Sequence, residues 1–267
     1  MEKCRLDQML VNKGMITSRE KGKALIMTGK VYVNGIQIDK PGTSVTYENI
    51  LEIRGDLLPY VSRGGLKLEK ALVEYHIDLH NKIMIDVGAS TGGFTDCALK
   101  NGASKVYAVD VGYGQLDWSL RQDSRVVVLE RMNARFLTHE NISENVDIIT
   151  IDVAFISLKK ILQPLYKLLN HNGYVIALIK PQFEAGREFV GKNGVIKDPA
   201  VHCKVISEIV DFSTSMNFIL RGLTYSPIKG PKGNIEFLIW LQKGNNLTEN
   251  SFSVDIKELV NNAHNFI

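Results

Sequence analysis

The chain has 267 residues, of which 45% are hydrophobic and 23% charged, and this composition excludes an intrinsically disordered protein. Its length allows one small and one medium domain, because typical domains hold ~100 to 150 residues. The net charge of +3 is too small to indicate a nucleic-acid partner, but residues 1–40 carry eight Lys or Arg against four Asp or Glu.

Neither a membrane segment nor a disulfide framework is predicted. The longest apolar stretches, 146–158 and 174–179, are interrupted or ended by charged residues before they reach the ~20 residues that a membrane-spanning helix needs. The N-terminus lacks the apolar core of a secretory signal, so we predict a cytoplasmic protein. The three cysteines, Cys4, Cys97 and Cys203, are far apart and not in CxxC spacing, which favours free thiols over disulfides or a zinc site.

Two short helices followed by a small β unit are predicted in the first sixty residues. Leu6, Met9 and Leu10 recur at helical spacing before Gly14, and a second helix is expected to end at Gly29. The dipeptide Asn34-Gly35 then indicates a tight hairpin, because both positions tolerate positive φ.

This region carries the first resemblance to a known domain. The residues that carry it are Arg5-Leu6-Asp7, Gly14, Ser18-Arg19, Ala24, Gly29-Lys30-Val31, Val33-Asn34-Gly35 and Lys40-Pro41. Their order resembles the RNA-binding domain named after ribosomal small-subunit protein four. A cluster of cations favours phosphate contact over a merely solvated helix face. The predicted RNA-binding residues are Arg5, Arg19, Lys21, Lys23, Lys30 and, beyond this domain, Arg63.

Alternating strands and helices from Lys82 onward predict an α/β fold with a mainly parallel sheet. The predicted strands are Ile83–Val87, Val106–Val109, Val126–Leu129, Val146–Val153, Tyr174–Lys180, Phe218–Tyr225 and Ile235–Leu241. Seven strands ending in an antiparallel hairpin are typical of a Rossmann-like methyltransferase sheet. We therefore predict a small N-terminal α+β RNA-binding domain at 1–58, a linker at 59–66 that is flexible at Gly64-Gly65, and a catalytic domain at 67–267.

A glycine-rich turn follows the first strand of this second domain, in the segment 85–94. Glycines at a strand-to-helix turn allow a ligand to approach the backbone at the carboxyl edge of the sheet. The spacing fits neither GxGxxG nor a P-loop, and an acidic Asp86 suits a cationic sulfonium better than a pyrophosphate. Asp110 ends the second strand, where a carboxylate can accept ribose hydroxyls, and Asn133 follows the third, near an adenine edge.

The predicted cofactor is therefore S-adenosylmethionine. The predicted cofactor-binding residues are Asp86, Gly88, Ser90, Gly92, Asp110 and Asn133.

A second resemblance concerns the catalytic residues. It rests on Ser62 to Leu68, Gly88 to Phe94, Asp152 to Ser157, Lys180 to Glu184 and Gly186 to Glu188. These segments resemble the TlyA family, whose catalytic domain is similar to the FtsJ-type ribose 2′-O-methyltransferases, and the match covers almost the entire chain. The resemblance implies methylation of a ribose 2′-hydroxyl in ribosomal RNA, on a cytidine. It also implies a catalytic tetrad at Lys67, Asp152, Lys180 and Glu236.

The chemistry explains this choice of residues. A ribose hydroxyl becomes a nucleophile when a base removes its proton in line with the sulfonium methyl. We predict Lys180 as that base, Lys67 as its partner, and Asp152 and Glu236 as the groups that fix both side chains. Ribosomal RNA or ribosomal subunits are the predicted partners, with no membrane, protein partner or metal. The alternatives left open are a membrane-active haemolysin, a label that this family carries, and a catalytically inactive RNA-binding protein.

Overall fold

The computed structural model describes residues 3–16, 18–27, 29–54, 58–244 and 254–266, without the side chain of residue 192. The chain folds into two compact units, Met1–Leu57 and Leu58–Ile267. Each unit has its own hydrophobic core and is described by itself.

The first unit contains two helices and short antiparallel strands, as predicted. The elements are β1 (Cys4–Arg5), α1 (Leu6–Asn12), α2 (Arg19–Met27), β2 (Val31–Val33), β3 (Ile36–Ile38), β4 (Ser44–Val45) and β5 (Leu51–Ile53). Strand β2 lies between β3 and β5, and β1 pairs with β4. The β2–β3 hairpin turns at Asn34 and Gly35, which have φ values of 51° and 79°, so the predicted turn is confirmed.

The second unit is a sheet with helices on both faces. Its strands are β6 (Ile83–Val87), β7 (Lys105–Val109), β8 (Val126–Leu129), β9 (Val146–Ile151), β10 (Leu169–Ile179), β11 (Phe218–Tyr225) and β12 (Phe237–Lys243). Its helices are α3 (Gly64–Tyr75), α4 (Gly93–Lys100), α5 (Trp118–Arg121), α6 (Lys159–Tyr166), α7 (Pro181–Glu184), α8 (Pro199–Ser215) and α9 (Ile256–Phe266). Single 3-10 turns lie at Ala134–Phe136, Arg187–Phe189 and Lys192–Gly194.

The strand order of the described sheet is β11-β12-β10-β9-β6-β7-β8. Strand β12 is antiparallel to both of its neighbours, whereas β6 to β10 pair in parallel. The chain proceeds to one side of β6 through β7 and β8 and to the other side through β9 and β10. Ligands of open α/β sheets bind at such a reversal point, outside the carboxyl ends of the strands. The predicted α/β class and antiparallel edge hairpin are confirmed.

The two faces of the sheet pack against different helices because successive side chains in a strand alternate in direction. Ile85 and Val87 contribute to the core that includes α6, α8 and α9. Met84 contributes to the opposite core, with α3 and α4. The described helices include none with the length and apolar character needed to cross a membrane.

Some strand boundaries differ from the prediction. Strand β10 begins at Leu169 rather than Tyr174, and its pairing with β9 shifts register between these two residues. Strand β12 begins at Phe237 instead of Ile235. The β9 and β10 strands end at Ile151 and Ile179, so the polar residue after each lies at the edge of the sheet.

The structure places residues 59–66 in the second unit and not in a connecting segment. Helix α3 already begins at Gly64. The backbone N–H of Val61 donates to the Asp96 carboxylate at 2.8 Å, and Tyr60 is buried in the core. A Cβ atom on Gly65 would lie 2.3 Å from the Tyr60 ring. Gly65 therefore permits close packing here, which differs from the flexibility predicted for Gly64-Gly65.

Candidate active site

A cavity of about 720 Å³ lies at the carboxyl ends of the parallel strands, a volume in the ordinary range for small-molecule sites. Nine of the predicted site residues line it: Arg63, Lys67, Gly88, Ser90, Asp110, Asn133, Asp152, Lys180 and Glu236. Asp86 and Gly92 do not. The cavity thus combines most of the predicted cofactor residues with the whole predicted catalytic tetrad.

The tetrad comes from four separate elements. Lys67 lies in the first turn of α3, Asp152 and Lys180 directly follow β9 and β10, and Glu236 directly precedes β12. Glu236 was predicted within the last strand, but that strand begins one residue later. Parallel neighbours β9 and β10 bring the residues after them together, since both strands end at the same edge.

The four side chains form one connected chain of charges. The Lys180 ammonium contacts one oxygen of Asp152 at 2.5 Å. The Lys67 ammonium donates to the other Asp152 oxygen at 3.4 Å and to Glu236 at 2.6 Å. Asp152 is therefore shared by both lysines, and the two positive and two negative charges balance.

For both Lys67 and Asp152, burial and the neighbouring charges shift the pKa in opposite directions. Burial alone lowers the pKa of Lys67, but the adjacent Asp152 and Glu236 carboxylates outweigh it and raise that pKa. Burial raises the pKa of Asp152, but Lys180 and Lys67 together bring it below its usual range. Lys67 is thus held as an ammonium and Asp152 as a carboxylate.

The turn after β6 brings the backbone against this centre. Gly88 has a φ of +83°, and a Cβ atom there would lie 2.5 Å from the Asp152 carbonyl oxygen, so no larger residue fits without displacement. The amides of Gly88 and Ala89 already donate to the Val109 carbonyl. The turn therefore allows a ligand to approach the backbone closely. The amides of Gly88 and Ala89 are not free to donate to that ligand, because they already donate to Val109.

Asp110 also lines the cavity and directly follows β7. One of its oxygens accepts from the Ser90 amide at 2.8 Å, and the other accepts from the Gly112 amide at 2.7 Å. Each carboxylate oxygen has two lone pairs, so both can still accept a hydroxyl from a ligand. Asn133 also lines the cavity, and its side-chain oxygen accepts from the Arg135 amide at 3.1 Å.

Asp86 was predicted to bind the cofactor, but it does not line the cavity. Its carboxylate is fully buried and accepts from the Thr95 amide at 3.0 Å, the Thr95 hydroxyl at 2.7 Å and the Thr150 hydroxyl at 3.1 Å. Burial raises its pKa to about 6, although the hydrogen bond from Thr95 opposes this. Asp86 thus satisfies a free amide in the first turn of α4 and fixes the turn, without reaching the ligand cavity.

Gly92 also serves the packing around the cavity. A Cβ atom there would lie 2.2 Å from Leu120, whereas the neighbouring Gly93 does line the cavity. The glycine-rich turn therefore borders the cavity as expected, with Gly93 and not Gly92 lining it beside Gly88.

Two residues that were not predicted individually stand out after Asp152. Phe155 lines the cavity, is 88% exposed and has a left-handed φ of 64°.

Glu184 accepts from the Ser157 hydroxyl at 2.6 Å and from the Leu158 amide at 2.8 Å. Glu184 lies at the end of α7, which starts after Lys180, so it links the segment after Asp152 to the segment after Lys180. The only sequence signal for either residue is its place in the segments that resemble the TlyA family.

The predicted RNA-binding residues of the first unit include an organised pair of arginines. Asp7 is fully buried and forms two hydrogen bonds with Arg5, both at 3.0 Å, and one with Arg19 at 3.1 Å. Both arginine side chains remain nearly half exposed. Lys21 and Lys23 lie on the same helix as Arg19, and Lys30 precedes β2.

Two family models match the chain. An FtsJ-like methyltransferase model matches residues 60–243, and an S4 domain model matches residues 4–49. Together they correspond to the two units of the structure and confirm the resemblances inferred from the sequence.

Known proteins match nearly the full length. YqxC of Bacillus subtilis, named as a candidate rRNA methyltransferase, is 51% identical over 98% of this chain and 95% of its own. The 16S/23S rRNA (cytidine-2′-O)-methyltransferase TlyA of Mycobacterium tuberculosis is 42% identical over 90% of each chain. A solved structure of a hemolysin candidate from Streptococcus thermophilus is 45% identical, covers 99% of this chain and 97% of its own, and has a TM-score of 0.76. The chain therefore belongs to the TlyA family of FtsJ-like methyltransferases with an N-terminal S4 domain.

Proposed function

We propose that this protein transfers a methyl group from S-adenosylmethionine to a ribose 2′-hydroxyl in ribosomal RNA, on a cytidine. The observation that carries the proposal is the Lys180–Asp152 pair at 2.5 Å, in the same cavity as Asp110. The cavity thus contains a lysine whose amine can accept a proton when it is neutral, together with a carboxylate suited to a ribose.

The residues present fit the proposed cofactor. Asp110 has free lone pairs for two ribose hydroxyls, Asn133 offers an amide for an adenine edge, and Gly88 allows close approach to the backbone. Asp86 is left out of this set because it does not line the cavity. When bound, S-adenosylmethionine would supply an electrophilic methyl group whose transfer leaves a neutral thioether.

The chain's own residues account for the proton. In its neutral form, the Lys180 amine takes the proton of the 2′-hydroxyl as the new O–C bond forms. Asp152 then faces the ammonium that results. Lys67, kept charged between Asp152 and Glu236, holds the Asp152 carboxylate toward Lys180. The outcome is a 2′-O-methyl group on the RNA and one proton on the enzyme.

Capture of the RNA is assigned to the S4 domain. Arg5, Arg19, Lys21, Lys23 and Lys30 would contact phosphates there, and Arg63 would do so at the cavity. A ribosomal substrate also implies a cytoplasmic location for this protein.

The test is methyl transfer from radiolabelled S-adenosylmethionine to ribosomal subunits that lack 2′-O-methylation, with mapping of the modified nucleotide. Label on a ribose of one cytidine is expected, and label on a base or on protein would overturn the proposal. Lys180→Ala serves as the inactive control. Erythrocyte lysis by both wild type and this control, without any methyl transfer, would favour the haemolysin alternative.

A further inference from the structure

Four residues with cationic side chains line the cavity: Arg63, Lys67, Lys180 and Lys229. Lys67 and Lys180 are paired with carboxylates. Among the residues that the structure describes, Arg63 and Lys229 have no carboxylate within ion-pair distance. The cavity therefore has two positive charges that the catalytic tetrad does not neutralise.

Lys229 lies in a loop that is held firmly by its own hydrogen bonds. The Ser226 hydroxyl donates to the Ile228 carbonyl at 2.6 Å, and the Gly230 amide donates to the Asn234 carbonyl at 2.9 Å. The buried Asn234 side chain donates to the Gly194 carbonyl at 2.8 Å and accepts from the Ile196 amide at 3.0 Å. The backbone on both sides of Lys229 is thus fixed, although its side chain is exposed.

The same loop touches the catalytic centre. A Cβ atom on Gly230 would lie 2.6 Å from an Oε atom of Glu236, so the backbone next to Lys229 packs against the carboxylate that holds Lys67. Lys229 is therefore adjacent in sequence to a residue that packs against the tetrad, and it lines the same cavity.

A ribose whose 2′-hydroxyl is being methylated carries its 3′-phosphodiester on the neighbouring carbon. That phosphate necessarily enters the site together with the hydroxyl. Its negative charge would face the carboxylates Asp152 and Glu236 unless a cation compensates it. Lys67 and Lys180 are already occupied by those carboxylates, so the compensating charge must come from elsewhere on the cavity wall.

We propose that Lys229 binds the phosphodiester that adjoins the target ribose and so positions the 2′-hydroxyl at the tetrad. This inference rests on the proposed function, because it assigns a role within RNA methylation. Lys232 provides a matched comparison: it lies in the same loop and is exposed, but it does not line the cavity.

The experiment measures kcat and KM for unmethylated ribosomal subunits, at several salt concentrations, for wild type, Lys229→Ala, Lys229→Arg and Lys232→Ala. Loss of one charge-assisted contact should raise the KM of Lys229→Ala about tenfold and reduce its logarithmic salt dependence by about 0.7 to 0.9. Lys229→Arg should stay within about threefold of wild type, since it keeps the charge. Affinity for S-adenosylmethionine should be unchanged in every variant, which checks that the cavity is intact.

Equal effects of Lys229→Ala and Lys232→Ala on KM and salt dependence would overturn the inference while leaving the proposed function in place. An arginine variant as impaired as the alanine variant would overturn it too, because charge would not be the relevant property. A wild-type protein that transfers no methyl group would overturn the proposed function and this inference together.

Discussion

The two halves of the tetrad differ in burial. The inner pair, Lys67 and Glu236, has side chains that are 8% and 1% exposed. The outer pair, Lys180 and Asp152, has side chains that are 12% and 19% exposed. Both lysines line the cavity, but Lys67 is an ammonium held between two carboxylates and therefore a poor base, whereas Lys180 has one carboxylate partner among the described residues. We therefore propose that the inner pair holds the geometry and that the outer pair carries out the proton transfer.

The largest effect is expected for the outer pair. Lys180→Arg should lower kcat by about 10²- to 10⁴-fold, the usual contribution of a general base, because a guanidinium stays protonated at any accessible pH. A neutral amine at position 180 can accept the hydroxyl proton, so the wild-type chain should turn over and the variant should be nearly inactive. Both rates are measured by single-turnover methylation of ribosomal subunits.

Lys159→Arg is the matched control, because Lys159 belongs to a surface ion pair with Glu208 and should keep its rate. An arginine variant at position 180 with near-native turnover would show that this residue acts as a fixed charge. The inner and outer pairs would then not differ in the way we infer.

For the inner pair we expect loss of stability. Lys67→Met leaves the buried Glu236 carboxylate without its cation, which should reduce the free energy of unfolding by about 3 to 5 kcal/mol. Lys159→Met, which breaks only the surface pair, should cost at most ~1 kcal/mol. Urea denaturation measures both. Adding Glu236→Gln to Lys67→Met should restore part of the loss, and a double variant no more stable than Lys67→Met would contradict the explanation.

The inner pair also has a pH dependence with a defined sign. The pKa of Lys67 is raised in the folded chain above its ordinary value of 10.5. Its stabilising contribution is therefore fully present below pH 10.5 and is lost as the pH rises through the folded value. The stability advantage of wild type over Lys67→Met should accordingly shrink in strongly alkaline solution.

The smallest effect on the rate is expected for Glu184. Its hydrogen bonds hold the segment that follows Asp152, so its loss should disturb the outer pair and not the inner pair. Glu184→Ala removes hydrogen bonds to Ser157 and Leu158 and frees the segment after Asp152. We expect kcat to fall about tenfold, the equivalent of one or two net hydrogen bonds, with unchanged cofactor affinity. Glu184→Gln can keep both contacts and should retain most activity, and Glu208→Ala is the surface control. Equal rates for Glu184→Ala and wild type would remove Glu184 from this role.

Several features could be predicted because their signal is local. The Asn34-Gly35 hairpin follows from two residues that tolerate positive φ. The strands β6 to β9 follow from apolar runs whose alternate side chains pack on the two faces of the sheet. The positions of Asp152 and Lys180 at the cavity follow from a general rule, since parallel strands end at one edge and polar residues there face a ligand.

Other features depended on packing between distant segments. Asp86 belongs to a parallel strand next to the one that Asp110 follows, yet only Asp110 lines the cavity, because Asp86 is taken up by Thr95 and Thr150. Residues 59–66 contain Pro and Gly and resemble a linker, but the contact with Asp96 and the buried Tyr60 hold them in the second unit. Nothing in the local sequence reports those contacts.

By itself the sequence determined the α/β class, the S4-like start of the chain and the four residues of the candidate tetrad, since these depend on periodicity, turn chemistry and motifs. The tertiary structure decided which two residues of the tetrad form the inner pair and which two form the outer pair. Lys67 and Glu236 are 169 residues apart in the sequence, yet their charged groups lie 2.6 Å from each other. Lys67 thereby has two carboxylate partners, whereas Lys180 has one among the described residues. Burial and charge pairing arise only when distant segments share one low-dielectric site, so the roles of the two lysines could not be derived from either residue alone.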